Sequence, residues 1–362
     1  MTTRGTLAVA LARDRVPAVD AIKVTGVFLL LAGHWGRNQP EENLKGLEPL
    51  AGQGVALLLV LAGFIATIKL VSDLESGHFD GLGNWVRRKA LKTYPTLIAV
   101  VLALTAVQQI KNGIPVPSAR YLGYALLAGN YYEALAVFDP VRHNIGHLWT
   151  VMVGAHFLVP WAWLVVRLHS SGRTHLLAPI AAATFVISSL IRQIYIAAQI
   201  ETFPAYWYLA TEGRLADIAI GALGAAVVLQ PSASSMKRVL DPSAGGVALI
   251  ALGLSYQFEA AMLLPIRLAL MSYLVVWLVA RGGQGHWSIL DSKLVSGVAA
   301  ISYSVFAWHL YSLLGGRLVE SAPWLVRKFV AVGSALFVGG AAWLVLEFPM
   351  RRGPLPRLLD RS

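Results

Sequence analysis

The sequence predicts an all-α polytopic membrane protein with about ten transmembrane helices and one additional short interfacial or re-entrant helix. Of its 362 residues, 56% are hydrophobic and only 14% are charged, and the mean hydropathy is +0.61. Soluble chains contain about 25% charged residues. Several apolar runs reach the roughly 18 to 20 residues that cross a hydrocarbon core, so little length remains for a soluble domain.

Ten apolar segments are the predicted spans, and the seventh is the shortest. They lie at residues 16–36, 50–72, 93–110, 147–168, 176–198, 209–230, 244–258, 261–280, 294–315 and 324–347. Residues 118–130, SARYLGYALLAGN, are apolar but too short to cross. This segment favours the interfacial or re-entrant helix, because short backbone segments at membrane depth must satisfy their own polar groups.

The distribution of charge predicts the orientation and excludes several classes of function. Lysine and arginine gather in the loops on one side of a ten-span arrangement, so the positive-inside rule puts both termini in the cytoplasm. Residues 1–15 and 351–362 are then cytoplasmic tails around a transmembrane domain at 16–350. These loops account for the net charge of +11, and we expect no nucleic-acid partner. The absence of cysteine excludes disulfides and cysteine-based metal sites.

The first span keeps ionisable groups. Lys23 and His34 are eleven residues apart, which is three helical turns, so they share a face and are separated by roughly 16 Å along the axis. Asp20 lies one turn before Lys23 and can neutralise it. Ionisable groups at membrane depth indicate function by default. The alternative is a snorkelling lysine and an unrelated interfacial histidine.

A basic cluster, NWVRRKALKTYP at 84–95, precedes the third predicted span. Arg87, Arg88, Lys89 and Lys92 could bind phosphate groups through charge-assisted hydrogen bonds. The alternative is that they only anchor the helix at the cytoplasmic surface, beside aromatic residues. Lys89 and Lys92 are three residues apart and share a helix face, so this pair is expected to point inward.

Polar residues also mark the fourth and sixth predicted spans. His147 and His156 are nine residues apart and point to opposite sides of a helix, so their spacing does not favour a metal site and we predict none. His147 could be an ordinary interface residue, whereas His156 lies deeper. Arg214 and Asp217 are one turn apart and could pair with each other, or Arg214 could hold a substrate oxygen.

The last two spans contain ISYSVFAWHLYS and EFPMRR. Tyr303 and His309 lie in the first of these segments, and a buried histidine requires a hydrogen-bond partner. Glu347 in the second is interpreted mainly as a residue of the helix terminus. Arg192 and Arg267 are further intramembrane cations without an obvious partner in the sequence.

Taken in order, these segments resemble acyltransferase family 3, whose members are membrane enzymes that O-acylate cell-envelope and exported glycans, antibiotics and lipids. The resemblance covers residues 17 to 352. PAVDAIKVTGVFLLLAGHW is similar to the first-helix pattern of the family. In that pattern an Asp is followed three residues later by an Arg, and a His follows the Arg after ten intervening residues. GVALLLVLAGFIAT is similar to the second-helix pattern, which ends in Ser-Gly-Phe. Five further segments resemble later motifs of the family. They are the basic stretch before Pro95, GHLWTVMVGAHF, GRLADIAIGALGA, ISYSVFAWHL and EFPMRR.

The sequence departs from the family pattern at several positions. Lys23 stands where the first-helix Arg usually is, and Lys89 and Lys92 stand for the paired arginines. These changes keep the charge but lose the bidentate geometry of arginine. Ala62 replaces the Ser, and Gly154 stands where many members have a Glu. The first-helix histidine is present, so the enzyme remains the favoured interpretation.

The resemblance implies an acyl-CoA, most often acetyl-CoA, as co-substrate, with no bound cofactor. His34 would act as a general base on a hydroxyl group, or it would carry the acyl group transiently. The implied donor-binding residues are Lys23, Arg87, Arg88, Lys89 and Lys92. The candidates for binding the acceptor or stabilising the oxyanion are Arg214, Trp149, His156, His309 and Tyr303. Asp20 and Asp217 are expected to be structural partners.

The resemblance further implies a glycan or lipid-linked glycan acceptor, contact with membrane lipid and a place in the bacterial cytoplasmic membrane. It implies a transmembrane acyltransferase without an appended esterase-like domain. Two alternatives stay open. One is a polytopic transporter or flippase, although no paired Gly/Pro-broken repeats are evident. The other is a catalytically degenerate family member that acts as a partner in glycan assembly, which Gly154 favours.

Overall fold

Helices form the regular secondary structure throughout the part of the chain that the computed structural model describes. That part comprises residues 16–37, 47, 49–113, 118–135, 146–198, 206–229, 241–258, 261–282, 291–312, 318–319 and 321–352. Within these residues no strand is present, and the predicted all-α class is confirmed.

The α-helices are numbered here in chain order. They are α1 (Pro17–Arg37), α2 (Pro49–Glu75), α3 (Leu82–Asn112), α4 (Ser118–Ala125), α5 (Gly129–Leu135), α6 (Trp149–Ser170), α7 (Leu177–Ala197), α8 (Tyr206–Leu209), α9 (Thr211–Leu229), α10 (Pro242–Ser255), α11 (Leu264–Gly282), α12 (Lys293–Ser312), α13 (Trp324–Ala342) and α14 (Phe348–Arg352). A 3-10 turn, Gly146–Leu148, leads into α6, and a π-helical segment, Trp343–Glu347, joins α13 to α14.

Each of the ten predicted spans coincides with a helix, and seven of these helices are long and apolar enough to cross a membrane. The seven are α1, α2, α3, α6, α7, α11 and α13 with its π extension. Of the other three, α9 includes the charged residues Glu212, Arg214 and Asp217, and α10 has only 14 residues. Helix α12 includes serines, tyrosines and His309. The described residues therefore establish seven candidate spans.

Helix α3 begins earlier than predicted. The third span was expected to begin at residue 93, but α3 begins at Leu82 and continues through Pro95. Trp85, which is buried, packs in one hydrophobic cluster with Leu70 and Val71 of α2. This burial stabilises the extra turns, and the basic residues of 84–95 consequently lie on the helix itself.

The short apolar segment at 118–130 forms part of a helical hairpin. Helices α4 and α5 have 8 and 7 residues, which is too short to cross a bilayer. Buried Arg120 donates from Nε and Nη2 to the two carboxylate oxygens of Glu133, both at 2.7 Å. This bidentate pair ties the two arms together, and the prediction of a non-spanning helix agrees with the structure.

Helix α2 is central in the described bundle and packs against α1, α6, α9 and α11. Glycines allow the closest of these contacts. A Cβ atom on Gly63 would lie 2.1 Å from the carbonyl oxygen of Ile218, and one on Gly221 would lie 1.9 Å from that of Val60. Small residues at such crossings let membrane helices approach backbone to backbone.

Candidate active site

Three histidine rings meet at one end of the bundle. His34 lies in the last turn of α1, His147 in the turn before α6, and His309 in the last turn of α12. The ring centroids of His34 and His309 are 4.8 Å apart, and those of His147 and His309 are 5.0 Å apart. We call these three residues the histidine cluster. His34 and His309 were predicted site residues, whereas His147 had been considered an ordinary interface residue.

Close backbone packing determines where His34 lies. A Cβ atom on Gly33 would be 2.1 Å from the backbone nitrogen of Ala51, so the end of α1 touches the start of α2 at the residue before His34. Further along the same interface, a Cβ atom on Gly54 of α2 would be 2.4 Å from the carbonyl oxygen of Gly26 of α1. The two helices therefore run antiparallel in contact, and neither can shift without opening this interface.

The partner helix α12 brings His309 to the same level. Leu31 of α1 and Val305 of α12 belong to one buried hydrophobic cluster. His34 follows Leu31 by three residues and His309 follows Val305 by four, so both rings lie one turn further along the faces that are already in contact. The packing of apolar side chains thus aligns the two imidazoles.

Backbone carbonyl groups orient two of the three rings. His309 Nδ1 lies 2.6 Å from the carbonyl oxygen of Phe306, and His147 Nε2 lies 2.9 Å from that of Ala307. A carbonyl oxygen only accepts, so both nitrogens are N–H donors. In neutral rings His309 Nε2 and His147 Nδ1 then have the lone pairs. Within the described residues no group of three or more His, Asp or Glu side chains could hold a metal ion.

The opposite end of α1 faces a group of cations. Lys89 of α3 interacts electrostatically with Lys23, Lys69 and Arg88, and its ammonium lies 5.2 Å from the ring centroid of Trp85. These four basic residues, which we call the basic rim, come from the start of α1, the end of α2 and the start of α3. Lys69 was missed in the sequence, where it is an isolated cation inside an apolar run. Lys23, the member of the rim on α1, lies about three turns, roughly 16 Å along the axis, from His34.

Two acidic residues beside the basic rim are paired with its members. Lys23 Nζ lies 3.5 Å from Asp20 Oδ1, which is the pair that the sequence predicted. Arg88 forms a bidentate pair with Asp80 in the loop before α3, and this hydrogen bonding lowers the pKa of Asp80.

The predicted donor residues of α3 differ in exposure. Lys89 and Lys92, which were expected to point inward, both have exposed side chains, and so does Arg88. Arg87 is half-buried. Exposure is compatible with an opening to the cytoplasm, and the roles of these residues stay predictions.

A second polar group surrounds Arg214 in α9. Its guanidinium carbon lies 4.6 Å from the ring centroid of Trp149 and 4.3 Å from that of Tyr208. Arg214 also donates from Nε to the Tyr208 carbonyl oxygen at 2.8 Å and from Nη1 to Asp217 at 3.0 Å. The predicted pair of Arg214 with Asp217 is present. Because Trp149 follows His147 by two residues, this arginine–aromatic group adjoins the histidine cluster.

Arg192 and Arg267 do have partners. Arg192 Nη1 donates to Asp217 at 3.3 Å, so one fully buried carboxylate joins two buried arginines. Arg267 donates to the carbonyl oxygens of Ser255 and Phe258, both at 2.6 Å. These partners lie on other helices or in a loop, and no local spacing in the sequence indicates them.

His156 belongs to a different network from the histidine cluster. Its Nδ1 lies 2.7 Å from the hydroxyl oxygen of Thr211, at the start of α9. The next residue, Glu212, accepts from the hydroxyl groups of Tyr131 and Tyr195 at 2.7 and 2.8 Å. His147 and His156 thus contact different helices, as their nine-residue spacing predicts.

Comparison with known families identifies the class. A family model described as an acyltransferase domain matches residues 16–346, which is nearly the whole chain and includes both the histidine cluster and the basic rim. The chain belongs to acyltransferase family 3. Together with the apolar helices, this membership makes it a membrane acyltransferase. In the comparisons with curated proteins and with solved structures, no protein matches.

The acyltransferase has open space at the position where many family members have a Glu. A Cβ atom on Gly154 would meet no other atom within 4 Å. In this chain the rings of His147 and His309 are oriented by backbone carbonyl groups, so these contacts do not depend on a carboxylate at position 154.

Glu347 of the acyltransferase was interpreted from the sequence mainly as a residue of a helix terminus, but in the structure it also makes a contact between helices. It is buried in the π-helical segment and accepts a hydrogen bond from Ser304 of α12. The neighbouring Tyr303 donates to the carbonyl oxygen of Thr93 at 3.0 Å. These contacts hold α12 against α3 and the π segment, which is a type of irregularity frequent at functional sites.

Proposed function

We propose that this acyltransferase moves an acyl group, in the first instance acetyl, from acyl-CoA to a hydroxyl group of a glycan or glycolipid. The observation that supports the proposal is the layout of α1, which has the basic rim at its start and the histidine cluster at its end. The proposed setting is the bacterial cytoplasmic membrane, with both termini in the cytoplasm. The donor then enters from the basic rim.

The basic rim suits the nucleotide end of coenzyme A. The phosphate groups of coenzyme A are anionic, and lysine and arginine are the usual partners of phosphates. Lys69 adds a cation to the predicted set of Lys23, Arg87, Arg88, Lys89 and Lys92. The pantetheine arm is long and narrow, so it can extend between helices toward His34 while the nucleotide stays at the rim.

The proposed chemistry balances without a metal or bound cofactor. The acceptor hydroxyl loses its proton to His34 as its oxygen attacks the thioester carbonyl carbon. The carbon–sulfur bond breaks, the ester forms, and the coenzyme A thiolate takes up one proton. In the alternative route His34 nitrogen attacks first and carries the acyl group to the hydroxyl. Both routes require a neutral His34 whose ring is held in place.

The acceptor is proposed to bind on the side of Trp149 and Arg214. Trp149 is buried with the Arg214 guanidinium over its ring, so its proposed role is to position Arg214, whose buried guanidinium stabilises developing negative charge. Arg214 already uses Nε and Nη1 for protein contacts, so it acts mainly through its charge. His156 and Tyr303 contact other parts of the protein, and we rank them below Trp149 and Arg214 as acceptor residues.

Coenzyme A binding is the first test. The purified protein is heated with and without coenzyme A, and the unfolding midpoint is measured for the wild type, Lys89→Ala and Lys293→Ala. Lys293 is an exposed lysine at the start of α12, so its variant controls for loss of a positive charge. We expect stabilisation of the wild type and the control and a weaker effect in Lys89→Ala. A transporter of unrelated substrates would not respond to coenzyme A.

Acyl transfer is the second test. Membranes containing the protein receive radiolabelled acetyl-CoA, and label is counted in the glycan and glycolipid fractions. We expect transfer by the wild type and by His78→Ala, an exposed histidine in the turn before α3, and none by His34→Ala. Transfer by His34→Ala would refute the assignment. Coenzyme A binding without any wild-type transfer would favour a degenerate partner in glycan assembly. Mass spectrometry of surface glycans from cells with and without the gene then identifies the acceptor.

A further inference from the structure

We infer that His309 is a positioning residue that receives a proton from His34 during acyl transfer. This inference rests on the proposed function and deepens it. The basis is the histidine cluster, in which fully buried His309 lies between the two half-buried rings of His34 and His147. Its ring centroid is within 5.0 Å of both, a separation that one bridging water can span between ring nitrogens.

The hydrogen bond to Phe306 determines which nitrogen can take part. Since His309 Nδ1 donates to the Phe306 carbonyl oxygen at 2.6 Å, the neutral ring has its lone pair on Nε2. A proton added to the ring therefore goes to Nε2, and the carbonyl group stabilises the resulting imidazolium. This arrangement resembles the way in which a third group orients the base in catalytic triads, with an imidazole in that place.

Electrostatics limits the cluster to about one added proton. Two unit charges 5 Å apart at an effective dielectric constant near 20 repel by about 3 kcal/mol. When His34 takes the hydroxyl proton on one nitrogen, it can pass the proton from its other nitrogen to His309 Nε2. The same transfer deprotonates an acyl-imidazolium if His34 carries the acyl group. In the general-base route the proton returns along the same path through His34 and protonates the thiolate. In the acyl-carrier route it returns to the same His34 nitrogen as the acyl group leaves for the hydroxyl oxygen, and the hydroxyl proton goes to the thiolate.

His147 is oriented in the complementary way. Its Nε2 donates to the carbonyl oxygen of Ala307, which is the residue after Phe306 in α12. The two adjacent carbonyl groups thus hold the two rings at nearly perpendicular planes, 85° apart. The contact between the two rings therefore supports the position of His309.

Amide substitutions separate this role from a structural one. In His309→Asn the amide N–H can still donate to Phe306, but no acceptor remains at the position of Nε2. In His309→Gln the amide reaches the position of Nε2 and can accept a hydrogen bond from His34, but it cannot take up a proton. A structural role of the Phe306 contact predicts that Asn retains more transfer than Gln. The proton-receiving role predicts that both variants lose transfer to the same extent, because neither amide takes up a proton.

The experiment uses the membrane transfer assay with radiolabelled acetyl-CoA. We expect kcat to fall about 100-fold or more in His309→Asn, His309→Gln and His309→Ala, with the KM for acetyl-CoA unchanged. Added imidazole should restore part of the activity of His309→Ala. His78→Gln is the control.

Three outcomes would decide the matter. Wild-type transfer with loss in His34→Ala but full transfer by His309→Asn overturns the positioning role and leaves the proposed function intact. Absence of wild-type transfer overturns the proposed function itself. If His309→Asn is not stabilised by coenzyme A and has not folded, the comparison of His309→Ala with and without imidazole decides, because only a positioning role is rescued by the missing ring.

Discussion

Replacing Gly33 with alanine should displace His34 without changing its chemistry. The new Cβ atom would lie 2.1 Å from the Ala51 backbone nitrogen and 2.6 Å from the Ala51 Cβ atom. Favourable contacts lie at about 3.5 Å, so α1 and α2 must separate locally by about 1 Å. A displacement of this size at a reacting group can reduce the rate about 100-fold, and overpacking of this kind destabilises by about 1–3 kcal/mol.

The matched control is Gly52→Ala, one residue beyond Ala51, where a Cβ atom would meet nothing within 4 Å. Acetyl transfer and the unfolding midpoint are measured for both variants. We expect transfer to fall about 100-fold in Gly33→Ala and to stay at the wild-type level in Gly52→Ala. The double variant Gly33→Ala/Ala51→Gly should not recover acetyl transfer, because the nearest clash of the new Cβ atom is with the backbone nitrogen of residue 51. Wild-type transfer by Gly33→Ala would show that the interface does not control the position of His34.

Three further predictions concern charge and packing. Asp80→Asn releases Arg88 and should tighten coenzyme A binding about twofold at low salt, measured by calorimetry, with no effect in high salt, since exposed pairs are weak and screened. Asp217→Asn leaves two buried arginines without their carboxylate and should destabilise by about 3–5 kcal/mol. This is measured by chemical unfolding, and a wild-type midpoint would contradict it. Gly221→Ala should lower the unfolding midpoint because its Cβ atom would lie 1.9 Å from a carbonyl oxygen, whereas Gly154→Ala, in open space, should not.

The part of the fold that could be predicted followed from the length of the apolar segments and from helical periodicity. Apolar runs of span length identified the helices, and the short run at 118–130 was correctly separated from them. The start of α3 was wrong by eleven residues because the apolar run of span length begins only after the cations at 87–92. Burial of Trp85 against α2 extends the helix, and such a contact between helices has no local signature.

For the candidate site, the sequence was informative within single helices. The spacing of Asp20 and Lys23 correctly predicted their ion pair, and the short-range pair of Arg214 with Asp217 is present. His147, Lys69 and Glu347 were undervalued, because each acquires its significance from a residue on another helix. The assignment of His34 as the reacting group stays a prediction.

The sequence by itself determined that this protein is a helical membrane protein and which ionisable residues share each helix face, because both depend on local composition and on a period of 3.6 residues. Its membership of acyltransferase family 3 rests on the order of its motifs and on the family match. Only the tertiary structure decided that three histidines from distant parts of the chain meet, and that one carboxylate joins two arginines. Those contacts arise where glycines let particular helices touch, and the choice of neighbouring helix depends on the complementarity of whole surfaces, which the spacing of residues along one helix does not specify.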